Sequence, residues 1–326
     1  AAEGSDRALR GNRPLRPFEL EDLRERLRID AAGKAMHEQI RELYPLCRST
    51  TGEGVRETLH ILGRGLPLRI HEVPSGTRAL DWEVPQEWNV REAWLKDPAG
   101  QTIADLRWSN LHLVGHSQPI RARLSLAELR PHLHSLPEHP DWIPYRSSVY
   151  RPEWGFCLPH RILSTLVPGE YEVVIDSTLS DGSLSYGEVI LPGESTDEVL
   201  LSSHVCHPSL CNDNLSGLAL LSLLGRYLAG ITHRFTYRLL FAPVTIGAIC
   251  WLARNESALG RIRHGLVVTL VGDSGPITYK RSRRGDAPID RAFAQVLAQR
   301  APHEIRDFEP LGYDERQFCS PGFDLP

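Results

Sequence analysis

The alternation of strand and helix patterns over the second half of the chain most constrains its fold. From Tyr171 onward, short apolar runs typical of strands alternate with segments whose apolar residues recur at spacings of three and four. Strands separated by helices pair mostly in parallel and are covered on both faces. This pattern predicts an α/β sandwich with a mostly parallel central sheet. The predicted strands are Tyr171–Leu179, Leu184–Leu191, Glu198–His204, Phe235–Ala242 and Gly265–Gly272, and the predicted helices are Phe18–Leu27, Ala31–Leu46, Asp213–Leu228, Ile246–Asn255 and Ala287–Arg300.

Residues 76–156 have a different texture. Six of the seven tryptophans of the chain lie in this stretch, among short strand-like runs and turns rich in proline and glycine. We predict that it forms a small β-rich domain inserted into the larger α/β domain, which then comprises residues 18–75 and 157–326. The alternative is a long decorated loop. Residues 1–17, rich in arginine and glycine, are predicted to be a flexible leader.

Charge and composition argue against two classes of partner. A net charge of −4 over 326 residues provides no basic stripe for nucleic acid. No apolar run reaches the ~18 residues of a membrane-spanning helix, so no membrane partner is expected. The six cysteines are too scattered for a disulfide scaffold. We interpret them as reduced thiols of a cytoplasmic protein.

The most informative polar residues lie where a predicted strand meets a predicted helix. His204 ends its strand, and Asp213 opens the following helix nine residues later. Sites in parallel sheets lie at the carboxyl ends of strands, and zinc accepts both imidazole nitrogen and carboxylate oxygen. The alternative is a core histidine and a simple helix N-cap. Asn212 and Asn214 add polar groups that plain packing does not need, so we predict a metal or catalytic site.

The segment from His204 to Gly217, HVCHPSLCNDNLSG, resembles the first metal motif of the co-catalytic zinc aminopeptidases. More closely, it resembles a group of bacterial aminopeptidase-like proteins with an inserted small β domain, and this resemblance covers the chain from Ala31 to its end. The resemblance implies a zinc-exopeptidase-like fold and hydrolysis of an amide bond in a peptide or small amide metabolite. It also implies that His204, Asp213 and Asp273 bind zinc and leave a position open for water.

Three departures from the family pattern bear on catalysis. Val244 stands where the resemblance implies a glutamate base, and valine cannot accept a proton. Thr245 replaces a carboxylate of the second metal, whose last histidine ligand follows a Gly-Phe-Asp-Leu-Pro segment that here ends at Pro326. Cys206 replaces the aspartate that orients the first imidazole. We expect one metal at most and an enzyme disabled at its base. The alternative is a non-catalytic metal- or ligand-binding protein that keeps the peptidase fold.

Weaker candidates surround this region. His207 is a candidate replacement base or substrate contact. A nucleophilic pair of Cys206 and His207 is disfavoured, because adjacent residues on a strand point to opposite faces. The basic run Lys280–Arg284 indicates either a solvated face or a clamp for a substrate carboxylate or phosphate. The candidate substrate-binding residues are Tyr313, Arg316 and Arg284.

Overall fold

A computed structural model describes residues 29–299 and 302–326. The predicted leader at 1–17 and the predicted helix Phe18–Leu27 lie outside these residues. The helices are α1 (Ile29–Leu43), α2 (Glu53–Leu62), α3 (Leu126–Leu129), α4 (His160–Leu163), α5 (Ser216–Ala229), α6 (Ile246–Arg254), α7 (Glu256–Leu259), α8 (Pro288–Leu297) and α9 (Glu315–Phe318). The strands are β1 (Arg69–Pro74), β2 (Arg78–Ala79), β3 (Trp82–Glu83), β4 (Glu87–Lys96), β5 (Thr102–Asp105), β6 (Ile120–Ser125), β7 (Leu133–His134), β8 (Phe156–Cys157), β9 (Glu170–Ser180), β10 (Ser183–Leu191), β11 (Glu198–His204), β12 (Thr236–Ala242), β13 (Ile262–Val267), β14 (Ile277–Lys280) and β15 (His303–Arg306).

Five strands form the central sheet, in the order β1-β10-β12-β11-β13. Strand β11 runs parallel to β12 and β13, whereas β10 is antiparallel to both β1 and β12. The sheet is therefore mixed, and its parallel half carries the predicted site. Because β11 and β12 are parallel and pair His204 with Ala242, the loops after both strands leave the same edge of the sheet.

Helices cover both faces of the central sheet. Helices α1, α2 and α5 pack on one face, where they share a cluster of buried leucines and valines with the strands. Helix α6 packs on the other face, where Trp251 is fully buried. The predicted α/β sandwich is confirmed. None of the helices within the described ranges is long and apolar enough to cross a membrane.

A second sheet lies in the β-rich region and has the order β5-β4-β9-β6, with every pairing antiparallel. Its central strand β9 was predicted as part of the α/β domain, outside 76–156. The chain passes between the two sheets at the tight turn after Ser180, because β9 pairs with β4 and β6 while β10 pairs with β1 and β12. We therefore propose that the inserted region ends near Ser180.

The last parallel strand differs from its prediction. We predicted a strand at Gly265–Gly272, whereas β13 ends at Val267. The residues that follow leave the ladder, with Leu270 at a φ of 53° and its backbone N–H donated to Asn214 Oδ1 at 3.3 Å. Polar side chains of the loop after β11 thus compete with strand pairing here, and Asp273 lies well beyond the strand end.

Candidate metal centre

The loop after β11 turns back over the end of its own strand. Helix α5 begins at Ser216, so Asp213 lies before the helix that we predicted it to open. Asp213 and Asn214 interrupt the turn Cys211–Leu215 with non-helical backbone angles. Ser216 Oγ donates to the carbonyl of Asn212 at 2.8 Å and so closes the turn. The irregular turn brings the Asp213 carboxylate next to the end of β11.

Three side chains of this loop converge on one point. Nε2 of His204 lies 2.8 Å and Nδ1 of His207 lies 3.2 Å from Oδ1 of Asp213, and the two ring nitrogens are 3.2 Å apart. All three ligand atoms lie within 4.8 Å of one another, and no other group of three histidine, cysteine, aspartate or glutamate side chains in the described residues does so. Two imidazole nitrogens and one carboxylate oxygen form a donor set that suits zinc.

The protonation states in this group favour a cation. Burial lowers the pKa of His204, although Asp213 opposes the shift, so the imidazole is neutral as a metal ligand must be. Burial raises the pKa of Asp213, but hydrogen bonds from His204 and His207 outweigh it and hold that pKa well below its usual range. The group therefore presents an ionised carboxylate beside a neutral imidazole.

Asn214 and Tyr313 hold these side chains in place. The amide Nδ2 of Asn214, which is 2% exposed, lies 3.3 Å from Nδ1 of His204 and leaves Nε2 facing Asp213. The ring of Tyr313 stacks on the imidazole of His204 at a centroid distance of 4.8 Å. Its hydroxyl donates to Oδ2 of Asp213 at 3.2 Å. Such outer contacts fix the orientation of metal ligands.

His207 is supported from two distant parts of the chain. Arg48 is 1% exposed, and its Nε donates to the His207 carbonyl at 2.9 Å. Its Nη1 donates to the carbonyl of Leu43, at the end of α1. Tyr145, from the β-rich region, places its ring edge-on against His207 at a centroid distance of 4.9 Å. Sequence reasoning missed both Arg48 and Tyr145, because no motif or spacing links them to His207.

The loop after β12 carries Val244, where the resemblance implies a base. The Val244 backbone N–H donates to Sγ of Cys206 at 3.3 Å. Thr245 has a φ of 69°, which is strained for a β-branched residue, and its N–H donates to Oδ1 of Asp314 at 2.7 Å. Asp314 is 1% exposed, its Oδ2 has no partner among the described residues, and burial raises its pKa to about 7. Sequence reasoning missed this carboxyl group, although it directly follows Tyr313.

The remaining predicted site residues lie elsewhere. Asp273 is exposed and lies outside the group of three ligands. Its Oδ2 accepts a hydrogen bond from Asn212 Nδ2 at 2.8 Å. Arg284 donates to the carboxylate and the backbone carbonyl of Asp324, and Arg316 is exposed. Of the predicted site residues, His204, Asp213, His207 and Tyr313 therefore lie together, whereas Arg284 is bonded to Asp324.

The cysteines near the centre are free thiols. Cys206 is buried and Cys211 is exposed, and all six cysteines of the chain are unpaired. Burial raises the pKa of Cys206 to about 12, so its thiol is protonated and is a poor nucleophile. This state argues against the nucleophilic pair of Cys206 and His207 and leaves Cys206 as a hydrogen-bond acceptor for the loop after β12.

Comparison with known proteins identifies relatives along most of the chain. Residues 37–326 match the family described as "Domain of unknown function (DUF4910)". A Clostridium acetobutylicum protein named "Putative polysaccharide biosynthesis protein with aminopeptidase-like domain" is 48% identical over 295 residues, which is 90% of this chain and 68% of that protein. A crystal structure of a "putative peptidase" from the same bacterium has a TM-score of 0.91 at 45% identity, covering 94% of this chain and 73% of that one.

A more distant likeness concerns the fold alone. BSAP, a zinc aminopeptidase from Bacillus subtilis, superposes with a TM-score of 0.62 at 12% identity, over 89% of this chain and 83% of that one. This likeness confirms the predicted zinc-exopeptidase-like architecture. The chain therefore belongs to the DUF4910 family and has the fold of the aminopeptidase-like superfamily.

Proposed function

We propose that this chain is a zinc-dependent, aminopeptidase-like hydrolase that cleaves an amide bond near the free amino terminus of a peptide or small amide metabolite. The observation that carries the proposal is the convergence of His204, His207 and Asp213 at the carboxyl end of β11. The shared fold and the aminopeptidase-like domain in the name of the Clostridium acetobutylicum relative support it. The proposal therefore has two parts: the chain acts as a peptidase, and its cofactor is zinc.

The donor set fits a single zinc ion. His204, His207 and Asp213 would supply three ligands, with His207 in the place that the resemblance gives to Asp273. Tyr313 and Asn214 would hold two of these ligands in the orientation described above. A zinc ion supplies Lewis-acid chemistry, because it lowers the pKa of water from about 15.7 towards about 7 and polarises a carbonyl. Three protein ligands also leave a position free, as catalytic zinc sites require.

The proton acceptor is the weak point of this site. Val244 offers no atom that can take a proton from water, and its backbone N–H is donated to Cys206. A positioned general base contributes about 10²–10⁴-fold to a hydrolytic rate. We therefore propose that the chain hydrolyses amides slowly, at a rate lower by about that factor than an otherwise equal site with a carboxylate.

A second candidate function is metal-dependent binding without catalysis. The apolar Val244 in a tightly held loop favours it, because a binding protein needs no base at this position. The two functions are separated by incubating the zinc-loaded chain with aminoacyl p-nitroanilides over days. Release of p-nitroaniline that stops on chelation supports the hydrolase, and the absence of release supports the binding protein.

The cytoplasmic setting remains part of the proposal. All six cysteines are free thiols, and Cys157, Cys206, Cys250 and Cys319 are buried. Thiols persist in reducing compartments, whereas oxidising ones favour disulfides. Alkylation and mass spectrometry of protein isolated from its native host should find these six cysteines reduced, and a native disulfide between any of them would contradict this setting.

The metal assignment is tested by zinc content after exhaustive dialysis. We expect the wild-type chain and Asp273→Asn to retain one equivalent of zinc, and His207→Ala to lose it. Circular dichroism of each variant is the control for folding. A wild-type chain without zinc affinity would overturn the metal site. Loss of zinc from Asp273→Asn with retention by His207→Ala would return the third ligand to Asp273.

A further inference from the structure

Tyr145 links the β-rich region to the metal centre. Its ring lies against His207 at an interplanar angle of 62°. The segment directly after Tyr145 is held in place, because the Gly115 N–H donates to the Arg146 carbonyl and the Ser148 N–H donates to the Gly115 carbonyl, each at 2.9 Å. The side chain is therefore held over the centre by a fixed piece of backbone, although Tyr145 is 37% exposed.

The two tyrosines at the centre use their hydroxyl groups differently. The hydroxyl of Tyr313 donates to Oδ2 of Asp213, so its proton is already engaged with a proposed metal ligand. The hydroxyl of Tyr145 has the Ser147 side chain as its hydrogen-bond partner and is not bonded to a proposed metal ligand. Because a serine hydroxyl can donate as well as accept, the phenolic proton of Tyr145 is available as a donor at the centre. A phenol has an ordinary pKa of about 10, so it is a hydrogen-bond donor throughout the neutral range.

We infer that Tyr145 contacts the substrate and donates a hydrogen bond to the carbonyl oxygen of the scissile amide as negative charge develops on it. The inference rests on the proposed function. Its physical basis is that the described residues form a single group of three metal ligands, so one cation would have to stabilise the charge that two metals share in a dinuclear site. A donor fixed in advance stabilises developing charge without a cost of reorganisation.

This inference gives the β-rich region a part in the chemistry. The inserted region would then supply a substrate contact to the site. A purely structural role for Tyr145, as packing for the His207 ring, makes a different prediction: loss of the hydroxyl alone would leave every ligand affinity unchanged, since a phenylalanine ring packs equally well.

The test compares Tyr145→Phe with wild type in the full, zinc-loaded chain by calorimetry. The probes are L-leucine phosphonic acid, whose tetrahedral anionic oxygens imitate the charged state, and L-leucinamide, which imitates the uncharged amide. We expect phosphonate affinity to fall about 10- to 100-fold, as for a hydrogen bond to a charged group, while leucinamide and zinc affinities change less than about twofold. Tyr150→Phe is the matched control, because that hydroxyl bonds the Glu83 carbonyl.

Each outcome bears on a separate claim. Equal phosphonate affinity in Tyr145→Phe and wild type overturns this inference and leaves the proposed function standing. A parallel fall in zinc affinity shows that Tyr145 supports the ligands instead of the substrate, which also overturns it. A wild-type chain that binds no zinc removes the proposed function, and the inference with it. In a Val244→Glu background, we expect Tyr145→Phe to lower kcat about 10²–10³-fold with KM unchanged, which gives a second reading.

Discussion

The loops after β11 and β12 leave neighbouring parallel strands at the same edge of the sheet, yet their chemistry is opposite. The first loop gathers His204, His207 and Asp213 within hydrogen-bonding distance. The second loop presents Val244 and is held by contacts from outside, through Cys206 and Asp314. The difference teaches that the fold supplies positions, whereas the residues at those positions supply the reaction.

The second loop nevertheless has a strained backbone. Thr245 retains a φ of 69°, and such strained conformations cost about 1–3 kcal/mol and persist where the surroundings enforce them. Here the surroundings are the carboxyl group of Asp314 and the thiol of Cys206, each bonded to a backbone N–H of the loop. These two contacts therefore fix the backbone of the loop after β12, whereas its residue 244 has no carboxylate.

The largest effect is expected from giving the second loop an ionisable side chain, as the first loop already has. Val244→Glu introduces a carboxylate at the position where the resemblance implies the general base. We expect aminoacyl p-nitroanilide hydrolysis to rise about 10²–10⁴-fold, the usual contribution of a general base. Initial rates with saturating zinc measure it.

Val244→Gln is the matched control for that gain. Its side chain has nearly the same size and polarity but cannot take up a proton near neutral pH, so its rate should stay at the wild-type level. A gain that appears equally with glutamine would show that polarity or loop movement, and not base catalysis, limits the wild type.

A smaller effect, in stability, is expected from the residue that holds the second loop. Burial raises the pKa of Asp314 to about 7, above the 3.9 or so of an unfolded chain. The unfolded state therefore releases this proton at lower pH than the folded state does. The wild-type free energy of unfolding should fall as pH rises from about 4 to about 7 and then level off, by up to about 4 kcal/mol from this group.

Asp314→Asn should remove that slope, because an amide stays neutral and its oxygen can still accept the Thr245 N–H. Urea unfolding at pH 5 and pH 8 measures the difference for wild type and variant. If the free energies of unfolding of the two proteins depend on pH in the same way, Asp314 is not a buried negative charge at pH 8. The role given to Asp314 in holding the loop after β12 would then be wrong.

The first loop is tested through Tyr313, whose hydroxyl and ring hold two of the proposed ligands. Tyr313→Phe keeps the stacking on His204 and deletes the hydrogen bond to Asp213. Zinc affinity should fall about 10- to 100-fold, as on loss of an outer-shell partner. Competition with a fluorescent chelator measures it, and the exposed Tyr44→Phe is the control. An unchanged affinity would mean that Asp213 needs no support from Tyr313.

Much of the fold was predictable, because it depends on local periodicity. Strand β11 was predicted at its observed bounds, and the apolar pattern of α5 placed a helix after it. The sheet to which β9 belongs was not predictable, since a strand whose central residues are mostly buried fits either sheet. Strand β13 ends early because Asn214, distant in sequence, takes a backbone N–H that continued pairing would use.

The site was predictable where its residues are close in sequence and less so elsewhere. His204 and Asp213 share one strand–loop–helix segment, so their spacing alone predicts that they meet. His207 was considered as a base, a substrate contact, a partner of Cys206 or part of a separate site with Cys206 and Cys211. It was not predicted as a third ligand beside His204 and Asp213, because a third ligand within the same loop requires the irregular turn before α5. Arg48, Tyr145 and Asp314 reach the centre through tertiary packing, which no spacing along the chain encodes.

The smallest effect should come from Cys206, the residue that joins the two loops. It belongs to the first loop, and its sulfur accepts the Val244 N–H of the second at 3.3 Å. Cys206→Ala removes this contact and a buried sulfur, which should lower the free energy of unfolding by about 1–2 kcal/mol. Zinc affinity should change less than about twofold, because Asp213 is held independently by Tyr313.

Cys206→Ser is the matched variant for that link, because its hydroxyl can accept the same N–H. It should recover part of the lost stability in urea unfolding, and it should leave the zinc titration at the wild-type value. A loss of zinc affinity in Cys206→Ala that serine restores would contradict this independence. It would show that the second loop positions the metal ligands of the first. Position 244 and the metal centre would then act as one unit, and the effect of any substitution at 244 on zinc affinity would have to be measured along with its effect on the hydrolysis rate.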